Sequence, residues 1–292
     1  EAHVVYALAP GEYILHEEQA PTEQGYVRAE DVKFVVEETG EVQKVKMKDD
    51  HTKVSISKTD ITDGKEIEGA KLQILDQDGE VVESWTTAEE HLIEYLPVGT
   101  YTLHEEAAVD GYIVANDVEF TVEETGEIQK VKMEDERAMG QLVIVKTDTD
   151  SKAALEGVEF VLLEKETGKE VGRLKTGKDG KAVSELLPIG TYENGVFKEP
   201  ITYVLKETAT LKGYEKTEEE WEIVFTYQND KTPVIEVVKE IQNKKIPETP
   251  GTVKPGPKTG DDTNWFLPLL ALGVSAGMVA GLLYYRKRHK KA

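Results

Sequence analysis

A lysine, a glutamate and an aspartate lie in this sequence where a strand pattern predicts core-facing side chains. In the segment VSISK, which ends at Lys58, the lysine has the same parity as the valine and the isoleucine. Alternate side chains of a β-strand point to the same face of the sheet, so Lys58 is predicted to point into the core. The same argument turns Glu105 and Asp135 inward, because each follows apolar residues at two-residue spacing.

Buried charges must be paired, neutralised or consumed by a reaction, because a lone ammonium or carboxylate in the core costs several kcal/mol. Burial disfavours the charged forms of lysine and glutamate alike, which favours a neutral amine beside a neutral acid. The lysine nitrogen could then attack the side-chain carbon of an aspartate or asparagine while the glutamate carries the proton and water or ammonia leaves. The alternative is an ionic trio that never reacts, and residue parity alone favours that alternative.

The same set of inward residues recurs along the chain. Lys146, Glu207 and Asn243 occupy the corresponding positions downstream, and Glu17 and Asp49 do so upstream. Longer stretches repeat as well, because DVKFVVEETGEVQKVKMKDD returns as DVEFTVEETGEIQKVKMEDE. We interpret the chain as three copies of one unit, of which the first lacks its front half and its lysine.

The three copies define the expected domain organisation. Half of a globular unit should not fold alone, and the chain starts without a Met or a signal peptide. We therefore expect the parent protein to begin further upstream. The first unit, a truncated repeat, is residues 1–51, the second unit is 52–138 and the third unit is 139–245.

The elements that must position these residues are predicted to be short β-strands. Lys71–Leu75 and Val118–Val122 are typical, because they alternate apolar and polar residues with a period of two. Turn signals such as Asp-Gly and Thr-Gly separate the segments. The pattern predicts an all-β fold of tandem antiparallel β-sandwiches. The third unit has a surplus around Tyr192–Pro200, which could carry recognition but is interpreted as an inert insertion.

The C-terminal segment predicts a membrane span. Residues 266–285 carry no charge, and about 20 apolar residues are enough to cross a bilayer as a helix. The sequence RKRHKK follows at once and predicts a cytoplasmic end, so the rest of the chain should lie outside the cell. A buried core helix fits this length and basic end poorly. Residues 246–256, rich in Pro and Gly, are predicted to form an extended linker.

The tetrapeptide Pro257-Lys258-Thr259-Gly260, followed by the apolar span and the basic end, resembles the LPXTG-type sorting signal of Gram-positive cell-wall proteins. The resemblance implies that a sortase cleaves after Thr259 and passes the chain to a peptidoglycan precursor or to a pilin lysine. Residues 257–292 would then be the signal, and the membrane insertion would be transient. One departure is that Gly256 stands where the family has leucine. The alternative is a plain single-pass anchor.

The units resemble the Cna B-type, or SpaA-like prealbumin, domains of Gram-positive adhesins and pilins. The resemblance rests on K-T-D near the start, Y-x-L-x-E followed by G-Y, and a last strand that ends in Asn or Asp. It implies Ig-like or prealbumin-like sandwiches with intramolecular isopeptide bonds that form autocatalytically with the help of a glutamate. Two departures are the Asp acceptors and the valine, Val109, that replaces Pro21 of the first unit. The implied bonds are Lys58–Asp135 with Glu105 and Lys146–Asn243 with Glu207; Glu17 and Asp49 would be catalyst and acceptor of the first unit.

Composition excludes several classes of function. The 292-residue chain has 57 acidic against 35 basic residues, a net charge of −22 and no cysteine. The acidic excess argues against a nucleic-acid partner. Without cysteine, disulfides and thiolate sites are excluded, so covalent reinforcement would need other chemistry. The histidines are interpreted as surface repeats, and no metal site, cofactor or enzyme motif is predicted.

Taken together, these features predict a secreted structural protein and not an enzyme. We expect the stalk of a sortase-anchored surface adhesin or pilin subunit in a Gram-positive cell wall. One alternative is a module that binds a host extracellular-matrix protein, such as a collagen-like ligand. Another is the display stalk of a secreted enzyme whose N-terminal part is missing from this sequence.

Overall fold

The structure is a computed structural model that describes residues 3–247. Over this range it consists of β-strands and connections, with one helical element, the 3-10 turn Thr22–Gln24. The all-β prediction is therefore confirmed for the described residues. None of the helical structure in this range is long and apolar enough to span a bilayer. The rest of the linker, the sorting signal and the predicted span 266–285 lie outside the described residues.

The first unit contributes two separate antiparallel strand pairs. Its strands are β1 (Gly11–Leu15), β2 (Tyr26–Val27), β3 (Val32–Val36) and β4 (Asp50–His51). β1 pairs with β3, and β2 pairs with β4. Residues 37–49 form no strand, although alternation around Asp49 predicts one. The corresponding strand of the second unit pairs with that unit's first strand, and among the described residues 3–247 no strand pairs with residues 37–49.

The second unit is a sandwich of two four-stranded sheets. Apolar side chains from both sheets, including Ile56, Leu72 and Leu103, are buried between them. The strands are β5 (Lys53–Asp60), β6 (Lys71–Leu75), β7 (Val81–Thr86), β8 (His91–Glu94), β9 (Gly99–Ala107), β10 (Tyr112–Ile113), β11 (Val118–Val122) and β12 (Ile128–Arg137). One sheet has the order β10-β12-β5-β8, and the other has the order β11-β9-β6-β7.

The third unit repeats this architecture and adds a hairpin. The strands are β13 (Met139–Asp148), β14 (Glu159–Glu164), β15 (Glu170–Lys175), β16 (Lys181–Val183), β17 (Leu187–Pro188), β18 (Gly190–Glu193), β19 (Val196–Pro200), β20 (Thr202–Ala209), β21 (Glu220–Val224) and β22 (Val234–Asn243). β13 pairs with β16, β17 and β22, and the facing sheet has the order β15-β14-β20-β21. Leu142, Phe160 and Leu205 are buried in the core. The additional hairpin is formed by β18 and β19.

The prediction of antiparallel sandwiches is wrong for one strand pair in each of the two complete units. The first and last strands of the second and third units run parallel, β5 beside β12 and β13 beside β22. Parallel and antiparallel sheets share the two-residue side-chain period, so alternation predicts the face of a residue and not the direction of its neighbour. The parallel pair brings the lysine-bearing strand directly beside the strand that ends each unit.

The joint between the first and second units is built around Gly25 and Tyr26. Tyr95, in the connection between β8 and β9, packs edge-on against Tyr26 with 5.4 Å between ring centroids. The Tyr95 ring also stacks on that of His51 at 4.1 Å. A Cβ at Gly25 would lie 2.3 Å from the Tyr95 backbone, so only glycine allows this approach.

The joint between the second and third units uses the corresponding pair, Gly111 and Tyr112. The Tyr192 hydroxyl, from β18, donates to the Gly111 carbonyl oxygen at 2.8 Å, and its ring packs edge-on against Tyr112 at 5.2 Å. The Arg137 guanidinium lies over the Tyr192 ring, 4.1 Å from its centroid, as in a cation–π contact. The interpretation of this hairpin as an inert insertion is therefore wrong, because it packs against the second unit.

Candidate functional site

Parallel pairing places each lysine beside the residue predicted to accept it. Asp135 lies two residues beyond the register partner of Lys58 on the neighbouring strand. Asn243 has the same offset from Lys146 in the third unit. Side chains related in this diagonal way lie on one face and are within reach of a long side chain. Both complete units thus present the same pair of strands with the same register.

In the second unit the glutamate reaches the pair from the opposite sheet. Glu105 lies on β9, and its Oε2 is 2.9 Å from the Nζ of Lys58. The same Nζ donates to Oδ1 of Asp135 in a short hydrogen bond. The Lys58 side chain is 1% exposed and the two carboxyl groups are 0% exposed. Glu105 Oε2 also accepts the backbone N–H of Ala115 at 2.6 Å, which fixes the orientation of its carboxyl group.

This cluster favours a protonated acid. Two acids face one lysine, so full ionisation would leave an excess negative charge in the core. One oxygen of Glu105 and one of Asp135 are buried without a hydrogen-bond partner among the described residues. Burial and the neighbouring Glu105 raise the pKa of Asp135 to about 7, against the opposing effect of Lys58. The carboxylic-acid form of Asp135, from which water can leave, is therefore accessible near neutral pH.

The third unit has the same arrangement with a carboxamide as acceptor. Lys146 Nζ donates to Asn243 Oδ1 at 2.5 Å and lies 3.3 Å from Glu207 Oε2. Asn243 Nδ2 donates to Glu207 Oε1 at 2.7 Å. The side chains of Lys146 and Glu207 are 0% exposed. Burial lowers the pKa of Lys146, against the opposing effect of Glu207, and so favours the neutral amine that nucleophilic attack requires.

The first unit has only part of this arrangement. Glu17 accepts the backbone N–H of Ala29 at 2.7 Å, as Glu105 accepts that of Ala115. Asp49 is half-buried on the strandless segment 37–49. Within residues 3–247, no hydrogen bond or ion pair joins Glu17 to Asp49. The structure therefore gives Glu17 the same backbone contact that Glu105 makes, without assembling a complete cluster.

The remaining candidate residues are not brought into a site. Pro257, Lys258, Thr259 and Gly260 lie outside the described residues. In the range 3–247, no group of three or more His, Cys, Asp or Glu side chains is arranged to hold a metal ion.

One contact of the third cluster was not predicted from the sequence. The Thr210 Oγ1 accepts the second N–H of the Asn243 carboxamide at 2.8 Å. Thr210 follows the end of β20, where strand alternation no longer applies. The available signal was the comparison between units, because the residue three positions after the glutamate is alanine in the other two.

Comparison with known proteins supports the architecture. A family profile described as SpaA, prealbumin-like fold domain, matches residues 52–137 and 140–200, half of the chain. The structure of the Bacillus anthracis TIE protein is similar, with 31% identity and a TM-score of 0.50. That match covers 81% of this chain and 42% of the other, so this chain spans less than half of that protein's length. No curated protein gives a significant match.

Two pilin structures also match, with lower similarity. A streptococcal ancillary pilin is 20% identical, with a TM-score of 0.31, over 82% of this chain and 77% of its own. The minor pilin of Streptococcus agalactiae is 20% identical, with a TM-score of 0.30, over 70% of this chain and 100% of its own.

Proposed function

The chain belongs to the SpaA family of prealbumin-like fold domains, and we propose that it is the stalk of a surface adhesin or pilin subunit, stiffened by internal isopeptide bonds. The observation that carries the proposal is the buried contact of lysine, glutamate and acceptor, repeated in two units at one register. The proposed bonds are Lys58–Asp135, with Glu105 as the proton-transferring group, and Lys146–Asn243, with Glu207 in that role.

The proposed reaction balances without any added reagent. In the third unit the neutral Lys146 nitrogen attacks Cγ of Asn243, and the bond from Cγ to Nδ2 breaks. The proton that leaves the lysine nitrogen passes through Glu207 to the departing nitrogen, and ammonia is released. In the second unit the Lys58 nitrogen attacks Cγ of protonated Asp135, and the bond from Cγ to the hydroxyl oxygen breaks. The proton that leaves the lysine nitrogen passes through Glu105 to that oxygen, and water is released. Because folding already holds the groups in contact, the effective molarity of the amine is high.

Such bonds suit a stalk because each would join the first strand of a unit to its last. Tension along the chain would cross from one strand to the other through the amide. Residues 59–134 and 147–242, which lie between the joined positions, would then carry no load. The isopeptide would supply the reinforcement that a chain without cysteine cannot obtain from disulfides.

The same proposal covers the domain boundaries and the anchor. In the truncated repeat 1–51, Glu17 and Asp49 would be catalyst and acceptor. A sortase would join Thr259 to a peptidoglycan precursor or a pilin lysine at the cell surface. This part rests on the sequence pattern alone. The segments that follow the truncated repeat are the second unit 52–138, the third unit 139–245, the linker 246–256 and the signal 257–292.

Intact-mass spectrometry of the full 292-residue chain tests the proposed bonds. We expect a mass below that of the sequence by one water and one ammonia. Peptide mapping should then recover two branched peptides, one linking Lys58 to Asp135 and the other linking Lys146 to Asn243. A chain at its full unmodified mass would falsify the proposal.

Matched variants assign each loss of mass, that of water and that of ammonia, to one cluster. Glu105→Ala should abolish the loss of water alone, and Glu207→Ala the loss of ammonia alone, because each glutamate serves one site. Glu134→Ala is the control, since this residue is exposed on β12 next to Asp135 and should leave both deficits unchanged. If a variant does not fold, the branched peptides from the chain without substitutions still decide the test.

A further inference from the structure

The carboxamide of Asn243 is held by three different side chains. Its oxygen accepts from Lys146 at 2.5 Å, and its nitrogen donates to Glu207 at 2.7 Å and to Thr210 at 2.8 Å. The residue is 2% exposed, so water offers little competition for these positions. With both N–H groups and the oxygen occupied, the plane of the amide is fixed relative to the lysine.

The acceptor type and the residue at the Thr210 position vary together among the three units. This position is three residues after the glutamate in each unit. Where the acceptor is an aspartate, the position is alanine; where the acceptor is asparagine, it is threonine. A carboxyl group has no second N–H to satisfy, whereas a buried carboxamide with one free N–H would lose a hydrogen bond. The pairs are Ala20 with Asp49, Ala108 with Asp135, and Thr210 with Asn243.

We infer that Thr210 is a positioning residue for amide-type acceptors, which adapts the third unit to release ammonia and not water. The inference rests on the proposed cross-link between Lys146 and Asn243. Thr210 acts through Asn243, because its hydroxyl touches the carboxamide nitrogen and not the attacking amine. It prevents the amide from rotating its nitrogen toward Lys146, an orientation in which two donors would face each other.

Thr210 also bears on the departure of the leaving group. When the Lys146 nitrogen bonds to Cγ, the Asn243 nitrogen becomes basic and takes up the proton carried by Glu207. The hydroxyl oxygen of Thr210 retains one of the original N–H groups, so the nitrogen can turn about that hydrogen bond and present its new lone pair to Glu207 in place of the other N–H. Ammonia then leaves with its two original protons and the transferred one.

A double-mutant cycle during refolding tests this role. The full chain is synthesised and purified in urea without ever being allowed to fold, so that the reacting groups have stayed apart, and it is then diluted into native buffer while its mass is followed. We expect Thr210→Ala to slow the loss of ammonia about tenfold, the effect of one hydrogen bond made in the reacting state. Thr210→Ser should restore the rate, because serine retains the hydroxyl. Thr210→Val, which keeps the volume without the acceptor, should match Thr210→Ala.

The asparagine itself provides the control for a merely structural effect. In the Asn243→Asp background the acceptor has no N–H, so adding Thr210→Ala should leave the rate of water loss unchanged. Equal slowing in both backgrounds, or no slowing in either, would overturn the inference while leaving the cross-link itself established. Absence of any ammonia loss from the unmodified chain would instead overturn the proposed function, and the inference with it.

Discussion

Asp135 and Asn243 occupy the same position in two copies of one unit, yet they make different demands on protons. In the proposed reactions Asp135 must be protonated before water can leave it, whereas the carboxamide of Asn243 does not titrate. The structure meets the first demand by burying two acids beside one lysine. It meets the second by placing hydrogen-bond acceptors on both N–H groups of the amide.

The two reactions should therefore respond differently to pH. The pKa of Asp135 is raised to about 7, so its reactive acid form is populated below that value and lost as pH rises through it. We predict that the rate of water loss at Lys58–Asp135, divided by that of ammonia loss at Lys146–Asn243, falls as pH rises through this range. Both rates come from one refolding experiment followed by mass, so the third unit is an internal control. A ratio that rises with pH would contradict the prediction.

Sequence parity could predict the members of the clusters because their faces follow from a period of two. Lys58, Glu105 and Asp135 each follow apolar residues on a regular strand. Thr210 escaped prediction because it lies beyond the end of β20 and meets Asn243 only across the sandwich. Contacts across the sandwich depend on the pairing of strands, which alternation does not specify.

At the scale of elements, register is what makes the clusters possible. The parallel pairs β5 with β12 and β13 with β22 place lysine and acceptor at one diagonal offset. The prediction of wholly antiparallel sheets missed this pairing, although it placed the strands at Lys71–Leu75 and Val118–Val122 correctly. The prediction around Asp49 failed for a related reason, since a strand needs a neighbour as well as an alternating sequence.

The hairpin of β18 and β19 carries a prediction about the joint between units. An alanine Cβ at Gly111 would lie 2.8 Å from Phe197 Cδ2 and 2.9 Å from the Tyr192 hydroxyl. We therefore predict that Gly111→Ala lowers the free energy of unfolding by about 2–3 kcal/mol, from backbone strain at positive φ together with overpacking. Chemical denaturation of the full chain measures this change.

Gly213 provides a matched control for this substitution. Its φ of +87° is nearly that of Gly111 at +88°, but a Cβ at Gly213 meets nothing within 4 Å among the described residues. Gly213→Ala should therefore cost only the backbone strain, about 1 kcal/mol. If both variants lowered the free energy of unfolding equally, the hairpin would move aside at no energetic cost, and packing at the joint would contribute little to stability.

At the scale of the whole molecule, the proposed bonds and the joints would bear load in different ways. The joints between units are non-covalent, made of aromatic packing and a few hydrogen bonds around Tyr95 and Tyr192. Contacts of this kind separate under tension and reform. Within a complete unit, in contrast, the amide between first and last strands would prevent the intervening residues from extending.

Single-molecule pulling on the full chain separates these contributions. Lys58→Met and Lys146→Met remove the nucleophile while a long apolar side chain occupies the buried site. At 3.3–3.6 Å per extended residue, unfolding should then release about 260 Å from residues 59–134 and about 330 Å from residues 147–242.

The chain without substitutions should release neither of these two extensions, because the amides bypass both segments and only the joints can open. Lys132→Met is the control, since Lys132 is exposed on β12 and lies outside the cluster. It should behave as the unmodified chain does. If the unmodified chain released both lengths, its units would be held by the ionic clusters alone, and the stalk would have no covalent load path.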